Sequence, residues 1–182
     1  MSEAIKTSLK HPEFKGRIGM ARVDITPPVG IYARLWGSAV HDVAEGVHQP
    51  LLATCVVFQD LKGDNEFILL TIDACLVPPD DFDDIRSALL KRFDLKPHQL
   101  MVHPSHTHSA PFTVRRHADR PGGHLIAPYL DSLPTLYGDV IEMARNSVED
   151  ATLSWAYGKC GLAFNRDSID QGTDRDVCGL NV

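Results

Sequence analysis

The chain has 182 residues, of which 43% are hydrophobic and 23% are charged, proportions typical of one globular domain. Its formal net charge of −6 argues against a nucleic-acid partner, because such partners usually require a basic protein face. No apolar run approaches the roughly 20 residues that a helix needs to span a bilayer.

The N-terminal segment, residues 1–16, is polar and predicts a flexible arm. It lacks the apolar stretch of a secretory signal, which predicts a cytoplasmic protein. Removal of a leader would instead make the protein secreted or periplasmic. The sequence gives no indication of an oligomeric state.

The next part of the chain predicts three strands. Arg17–Thr26 alternates apolar and polar residues and stops at a pair of prolines, which is typical of a strand. Leu51–Gln59 and Glu66–Asp73 are apolar, β-rich runs separated by a turn signal at residues 62–65. These two runs predict a β-hairpin whose strands are buried on both faces or nearly so.

The second half of the chain alternates helices and strands. A helix is predicted from Pro78 to about Phe93, followed by a short strand over Gln99–His103. Tyr129–Asp150 has the apolar spacing of a long helix, with Pro134 expected in its first turn or two. Thr152–Phe164 returns to strand character.

The order β-ββ-α-β-α-β predicts an α/β fold, a layered mixed β-sheet with flanking helices. The last residues, Val177–Val182, are mildly apolar like the beginning of a further strand. We therefore expect the domain to be incomplete, the alternative being an ordinary edge strand at the end of the chain.

The segment His103-Pro104-Ser105-His106-Thr107-His108-Ser109 is the main chemical feature of the sequence. His106 and His108 are two residues apart at the end of a predicted strand, and in extended backbone such residues project from one face. Two neutral imidazoles aimed at one volume can both bind Zn²⁺, or one can bind it while the other orients water or substrate. The competing interpretation is a pair of solvated or structural histidines, and the spacing alone leaves both open.

Further metal ligands would have to come from elsewhere in the chain. His48, Asp73, His103, His117 and His124 are candidates, although such residues are individually more often solvated or structural. Asp73, at the end of a predicted strand, either supports a histidine or caps the following turn.

The remaining acidic residues and the cysteines have simpler explanations. Asp24 is expected to form a turn, and residues 80–84 to be a solvated helix start. Cys55 and Cys75 lie in apolar runs and are interpreted as small buried hydrophobes without a clear histidine partner. The sequence has no C-x-x-C pair, no glycine-rich nucleotide loop, no G-x-S-x-G elbow and no H-E-x-x-H helix.

Five segments resemble the neutral/alkaline (non-lysosomal) ceramidase family, in the family's order and at about its spacing. The resemblance covers roughly residues 17–182 and matches the N-terminal portion of the family's catalytic domain. These ceramidase segments are Val23-Asp24-Ile25-Thr26-Pro27-Pro28, Gly46-Val47-His48, Thr71-Ile72-Asp73, Ser105-His106-Thr107-His108-Ser109-Ala110-Pro111 and Asn165-Arg166.

The resemblance implies a zinc-dependent amidohydrolase that cleaves the N-acyl amide bond of ceramide to give sphingosine and a fatty acid. It implies that His106 is a zinc ligand, that His108 lies beside the reacting centre, and that Arg166 also lines that site. The implied partner is a ceramide-like lipid or another small-molecule substrate.

Two departures from the family pattern bear on this expectation. Ala110 stands where the family usually has glycine, so the loop is expected to differ there. The family's other zinc ligands, a second histidine, a glutamate and a tyrosine, correspond to positions beyond Val182. Two alternatives therefore stay open, a hydrolase of the same fold with a different substrate and a truncated, non-catalytic remnant. For this chain in isolation the resemblance predicts weak catalysis or none.

Overall fold

The computed structural model describes residues 13–35, 39–155 and 157. Five strands form one sheet, and two α-helices pack against it in the predicted order β-ββ-α-β-α-β. Three single turns of 3₁₀-helix interrupt the loops. The strands and helices are β1 Glu13–Asp24, β2 Leu52–Gln59, β3 Glu66–Ile72, α1 Pro79–Arg92, β4 Leu100–Pro104, α2 Ile126–Asn146 and β5 Glu149–Ser154.

The sheet has the strand order β4-β3-β2-β1-β5 and is mixed. Strands β1 and β2, and likewise β2 and β3, are antiparallel, while β3 and β4 are parallel and linked through α1. A parallel neighbour needs a crossover connection, which α1 supplies. The predicted α/β fold, an open mixed sheet with flanking helices, is therefore confirmed.

Contacts divide the chain into a large unit, Lys15–Ala151, and a second unit made of Met1–Phe14 and Thr152–Val182. Of the second unit the structure describes residues 13–14, 152–155 and 157. The hydrophobic core and the candidate site both lie in the large unit.

The hairpin β2–β3 is confirmed, but its two faces are not equally buried. Ala53, Cys55 and Val57 alternate with half-buried residues along β2, and β3 alternates in the same way. Both α-helices contribute side chains to the core on this first face. The other face carries exposed apolar side chains, including Met20 and Met101. The expectation of burial on both faces is therefore correct for one face only.

Helix α2 begins earlier and ends earlier than predicted. It starts at Ile126 and contains Pro134 in its interior, so this proline does not delay the start. The helix ends at Asn146, where the Ser147 hydroxyl accepts a hydrogen bond from the backbone N–H of Met20 at 2.9 Å. The end of α2 also packs on Gly19, where a Cβ would overlap the Ala144 carbonyl oxygen. A close helix-to-strand approach thus ends the helix before Asp150.

The other predicted elements match within a few residues. Strand β1 begins at Glu13, inside the predicted arm, and α1 and β4 lie where expected. The predicted strand over Thr152–Phe164 overlaps the end of β5, which ends at Ser154, and apart from Trp155 and Tyr157 its remainder lies outside the described residues. Neither α1 nor α2 is long and apolar enough to cross a membrane, and the described part of the chain contains no other α-helix.

Candidate metal centre and cleft

The candidate site lies where β3 and β4 end. In the parallel pair Ile72 is in register with Pro104, so the residues that follow both strands leave the sheet at the same edge. The Ser105 N–H donates to the Ile72 carbonyl at 2.9 Å, which continues the pairing for one residue more. This edge, at the carboxyl ends of parallel strands, is where α/β sheets commonly bind ligands.

His106 and His108 do lie together, but not for the predicted reason. Their ring centroids are 5.1 Å apart with the ring planes at 64°. Strand β4 ends at Pro104, and His106 has φ +59°, a left-handed conformation that L-residues rarely adopt. The two rings are therefore brought together by a turn with one left-handed residue. The alternation of side chains along an extended strand is not the cause.

Cys75 is the third member of this cluster. Its Sγ lies 3.8 Å from Nδ1 and 4.0 Å from Nε2 of His106. One ligand atom from each of Cys75, His106 and His108 lies within 4.8 Å of the others. The cysteine is buried, whereas both histidines are exposed. We refer to these three residues as the Cys-His-His cluster.

The Cys-His-His cluster fits a zinc ion. A thiolate and two imidazoles are ligands that Zn²⁺ prefers, and their donor atoms are close enough to share one cation. The expectation that no cysteine has a histidine partner is wrong for Cys75. Cys75 follows β3 by three residues and His106 follows β4 by two, so their contact requires that the two strands be parallel neighbours.

A cleft of about 480 Å³ opens beside the cluster. His108 lines this cleft, whereas Cys75 and His106 are not among the lining residues, so the cluster borders the cleft at its edge. The walls carry both apolar and polar groups. The lining residues include Thr26, Pro27, Val29, Val47, His48, Leu51, Asp73, Thr107, His108, Ser109, Ala110 and Pro111.

One wall of the cleft is the turn that follows β1. The Asp24 carboxylate accepts a hydrogen bond from the Thr26 N–H at 2.7 Å, and this bonding lowers the pKa of Asp24. The Thr26 hydroxyl in turn accepts from the Leu51 N–H at 2.8 Å. Asp24 is therefore a turn-forming residue, as predicted.

Asp73 fixes another part of the cleft wall. Its carboxylate accepts the Leu52 N–H at 3.0 Å, and its own N–H donates to the Leu52 carbonyl at 2.9 Å. These two bonds tie the end of β3 to the start of β2. Asp73 thus caps the start of β2 and not the turn that follows β3, and its support of a histidine stays a prediction.

The other candidate histidines differ in position. His48 is exposed and lines the cleft together with His108, whereas His103 and His124 are exposed and outside the cluster. His117 packs edge-on against Tyr32, with ring centroids 5.1 Å apart. Its Nδ1 is buried and has no hydrogen-bond partner among the described residues. Burial contributes most to lowering the pKa of His117, and the positive charges of Arg116 and Arg120 lower it further. The negative charge of Asp119 opposes the shift.

Arg115, which the sequence did not single out, secures the loop that carries His106 and His108. Its Nε donates to the Asp81 carboxylate at 2.7 Å, and its NH2 group donates to Asp131 at 2.7 Å. Both bonds raise the pKa of Arg115, and the bond to Asp131 contributes more than the bond to Asp81. Asp81 is buried, so the predicted solvated helix start is correct for Asp80, Asp83 and Asp84 but wrong for Asp81.

The chain shares its fold with neutral ceramidase. The crystal structure of neutral ceramidase from Pseudomonas aeruginosa superposes with a TM-score of 0.60 at 16% sequence identity. A structure of ceramidase complexed with C2 gives a TM-score of 0.58, also at 16% identity. Each match covers 78% of this chain but only 22% of the other. No protein-family model matches the sequence, and no curated protein matches it.

Four of the five ceramidase segments meet at this cleft. Residues from each of the four line it, including Thr26, His48, Asp73 and His108. The fifth segment, Asn165-Arg166, lies outside the described residues, so the expected site role of Arg166 stays a prediction. Ala110 is buried and does not have positive φ, so the left-handed residue of the Ser105–Pro111 segment is His106.

Proposed function

We propose that the chain belongs to a zinc-dependent amidohydrolase of the ceramidase type, which hydrolyses the N-acyl amide of ceramide to sphingosine and a fatty acid. The observation that carries the proposal is the convergence of four separated ceramidase segments on one cleft bordered by the Cys-His-His cluster. Because the chain spans 22% of the length of the ceramidases it resembles, the activity of the whole protein is part of the proposal.

The proposal gives each residue a role. His106 would hold zinc, which when bound supplies a Lewis acid able to polarise a carbonyl group and to lower the pKa of water. His108, on the cleft wall, would donate a hydrogen bond to the amide oxygen as negative charge develops there. Arg166 would contribute a fixed positive charge to the same oxygen or hold the polar end of the acyl chain.

The walls of the cleft suit an amide flanked by apolar groups. Val29 and Val47 line it and are 54% and 52% exposed, which gives an acyl chain an apolar surface to cover. Thr107, His108 and Ser109 offer polar groups on the same wall. An amphipathic N-acyl substrate therefore matches the cleft better than a uniformly polar one.

A second candidate is an amidohydrolase that acts on a smaller N-acyl compound. The volume of about 480 Å³ is typical of a pocket for a ligand of drug size, not of one that encloses a lipid with two long chains. This candidate keeps the same residue roles and changes only the substrate.

The test is a hydrolysis assay on the zinc-loaded 182-residue chain with short- and long-chain N-acylsphingosines and with N-acyl amino acids. Slow release of sphingosine, abolished by a chelator and reduced about 100-fold or more in His108→Ala, is the expected result for a chain that covers only part of the ceramidases. His124→Ala, an exposed histidine outside the cluster, should leave the rate unchanged. Turnover of N-acyl amino acids alone would support the second candidate. No turnover of any substrate would favour a non-catalytic role, and turnover that resists chelation would contradict zinc dependence.

A further inference from the structure

We propose that the Cys75 thiolate is a direct metal ligand, so that Cys75, His106 and His108 form a three-ligand site for Zn²⁺ within this chain. This inference deepens the proposed function and rests on its zinc at His106. It changes one role there, because His108 becomes a metal ligand and Arg166 is left to stabilise the amide oxygen. It adds a sulfur ligand that the ceramidase resemblance does not supply.

The distances within the cluster match a shared cation. With Zn–S near 2.3 Å and Zn–N near 2.0–2.1 Å at tetrahedral angles, the sulfur and nitrogen donors should be about 3.6 Å apart. The observed separation between Cys75 Sγ and His106 Nδ1 is 3.8 Å. All three donors lie within 4.8 Å of one another, so small side-chain rotations suffice to close the site.

The sulfur is also held in place by the fold. Cys75 is 1% exposed and lies two residues after Asp73, whose bonds fix the end of β3. The two histidines are exposed and stand on the loop that Arg115 secures. One buried sulfur and two exposed imidazoles form a site that a cation can enter from the side of the histidines.

The backbone at His106 is an independent observation. Its φ of +59° is unfavourable for a residue with a Cβ, and such conformations cluster at functional sites. The left-handed turn is also what brings His106 back toward Cys75 and beside His108. A ligand role for this ring accounts for a conformation that an ordinary loop would avoid.

A nucleophilic role for the thiol is less consistent with the geometry. A nucleophile and its base must both reach the carbonyl of a substrate in the cleft. Cys75 is buried, and neither Cys75 nor His106 is among the residues that line the cleft. The same burial does not prevent metal binding, because the two histidines complete the site from the exposed side.

Cobalt substitution tests this assignment without a substrate. The 182-residue chain is titrated with Co²⁺, and the absorption of Cys75→Ala, Cys75→Ser and Cys55→Ala is compared with that of the wild type. Cys55 is the matched control, because it is also a buried free cysteine. Burial, and to a smaller extent the negative charge of Glu66, raises the pKa of the Cys55 thiol to about 12. Far-ultraviolet circular dichroism checks that each variant folds.

We expect a thiolate-to-cobalt charge-transfer band in the near ultraviolet for the wild type and for Cys55→Ala, and its loss in both Cys75 variants. Zinc affinity measured by competition should fall at least about 10–100-fold in Cys75→Ala, because even outer-shell partners of a metal contribute that much.

Wild-type chain that binds Co²⁺ without the band, and Cys75→Ala that binds it with the same affinity, would overturn the role of Cys75. This result would not contradict zinc binding at His106. A band that survives in both Cys75 variants would come from another cysteine and would also overturn it. Absence of Co²⁺ and Zn²⁺ binding in the wild type would overturn both this assignment and the zinc of the proposed function. A band that follows Cys75 in a chain without hydrolytic activity would retain the site and reject the hydrolase.

Discussion

His106 occupies a backbone conformation that favours glycine, with φ +59°. For an L-residue the left-handed region costs roughly 1–2 kcal/mol, because Cβ comes too close to the following carbonyl oxygen. The loop therefore places a histidine where glycine would be more stable. Such a position is expected where the side chain serves a function at the expense of stability.

Replacing His106 by glycine should therefore stabilise the metal-free chain relative to replacing it by alanine. We expect the free energy of unfolding of His106→Gly to exceed that of His106→Ala by about 1 kcal/mol, since alanine retains the Cβ. Urea denaturation in the presence of a chelator measures this difference. An alanine variant as stable as the glycine variant, or more so, would mean that the residue is not constrained to positive φ.

His117 is a second residue with an unusual environment. Its ring packs edge-on against Tyr32 and Phe112, and its Nδ1 is buried with no partner among the described residues. Burial and the nearby Arg116 and Arg120 lower its pKa from the ordinary value of 6.5, so the folded protein protonates this ring less readily than the unfolded chain does. In the unfolded chain the ring takes up a proton near the ordinary value.

This difference predicts a loss of stability in mild acid. As the pH falls from about 6.5 toward the lower folded pKa, the unfolded state binds a proton that the folded state does not, and the free energy of unfolding decreases. His117→Phe should remove this component while preserving the aromatic contacts. Urea denaturation at about pH 7.5 and about pH 5 measures it. His124→Gln, an exposed control, should retain the wild-type dependence, and an unchanged slope in His117→Phe would contradict the assignment.

At the scale of elements, the loop between β4 and α2 depends on one arginine. Arg115 bonds to Asp81 in α1 and to Asp131 in α2, so it links the loop that carries the site to both helices. Asp81 is only 8% exposed, and a carboxylate in that position requires a partner. The position of the loop is therefore coupled to the helix layer.

Removing Arg115 should destabilise the whole domain. We expect Arg115→Ala to lower the free energy of unfolding by about 1–3 kcal/mol, because the buried Asp81 would lose its partner. The estimate lies below that for a fully buried pair, since Arg115 is itself half exposed. Chemical denaturation measures the change. Arg116→Ala, on an exposed neighbour, should stay within about 0.5 kcal/mol of the wild type, and equal effects of the two variants would contradict the account.

The sequence predicted the elements better than it predicted their contacts. Apolar alternation and turn residues located β2 and β3, because these patterns report local burial directly. The sequence could not place Cys75 beside His106, since that contact depends on β3 and β4 being parallel neighbours. The end of α2 was missed for a similar reason, because a tertiary contact at Gly19 and Ser147 stops the helix.

The candidate site was predicted in part. The histidine pair was identified from its spacing, although a left-handed turn, and not extended backbone, brings the rings together. Spacing carries no information about φ at a single residue, so this geometry could not be derived. The partner of the Asp73 carboxylate, the Leu52 N–H, likewise depends on the pairing of β2 with β3 and could not be derived from the sequence.

At the scale of the whole molecule, four segments from distant parts of the chain form one cleft. They follow β1, precede β2, end β3 and follow β4, so the sheet edge gathers residues that the sequence separates. The same fold occurs in neutral ceramidase at 16% identity, which is evidence of shared architecture alone. The step from this shared fold to a hydrolytic function therefore depends on whether the chain binds zinc.

The most direct test of that step is zinc binding to the 182-residue chain, measured by isothermal titration calorimetry. The account predicts one zinc ion per chain for the wild type and for His103→Ala, whose histidine lies outside the Cys-His-His cluster. It predicts that His106→Ala binds zinc at least about 100-fold more weakly, because the loss of a ligand costs more than the loss of an outer-shell partner. Equal zinc affinity in wild type and His106→Ala would contradict the central claim.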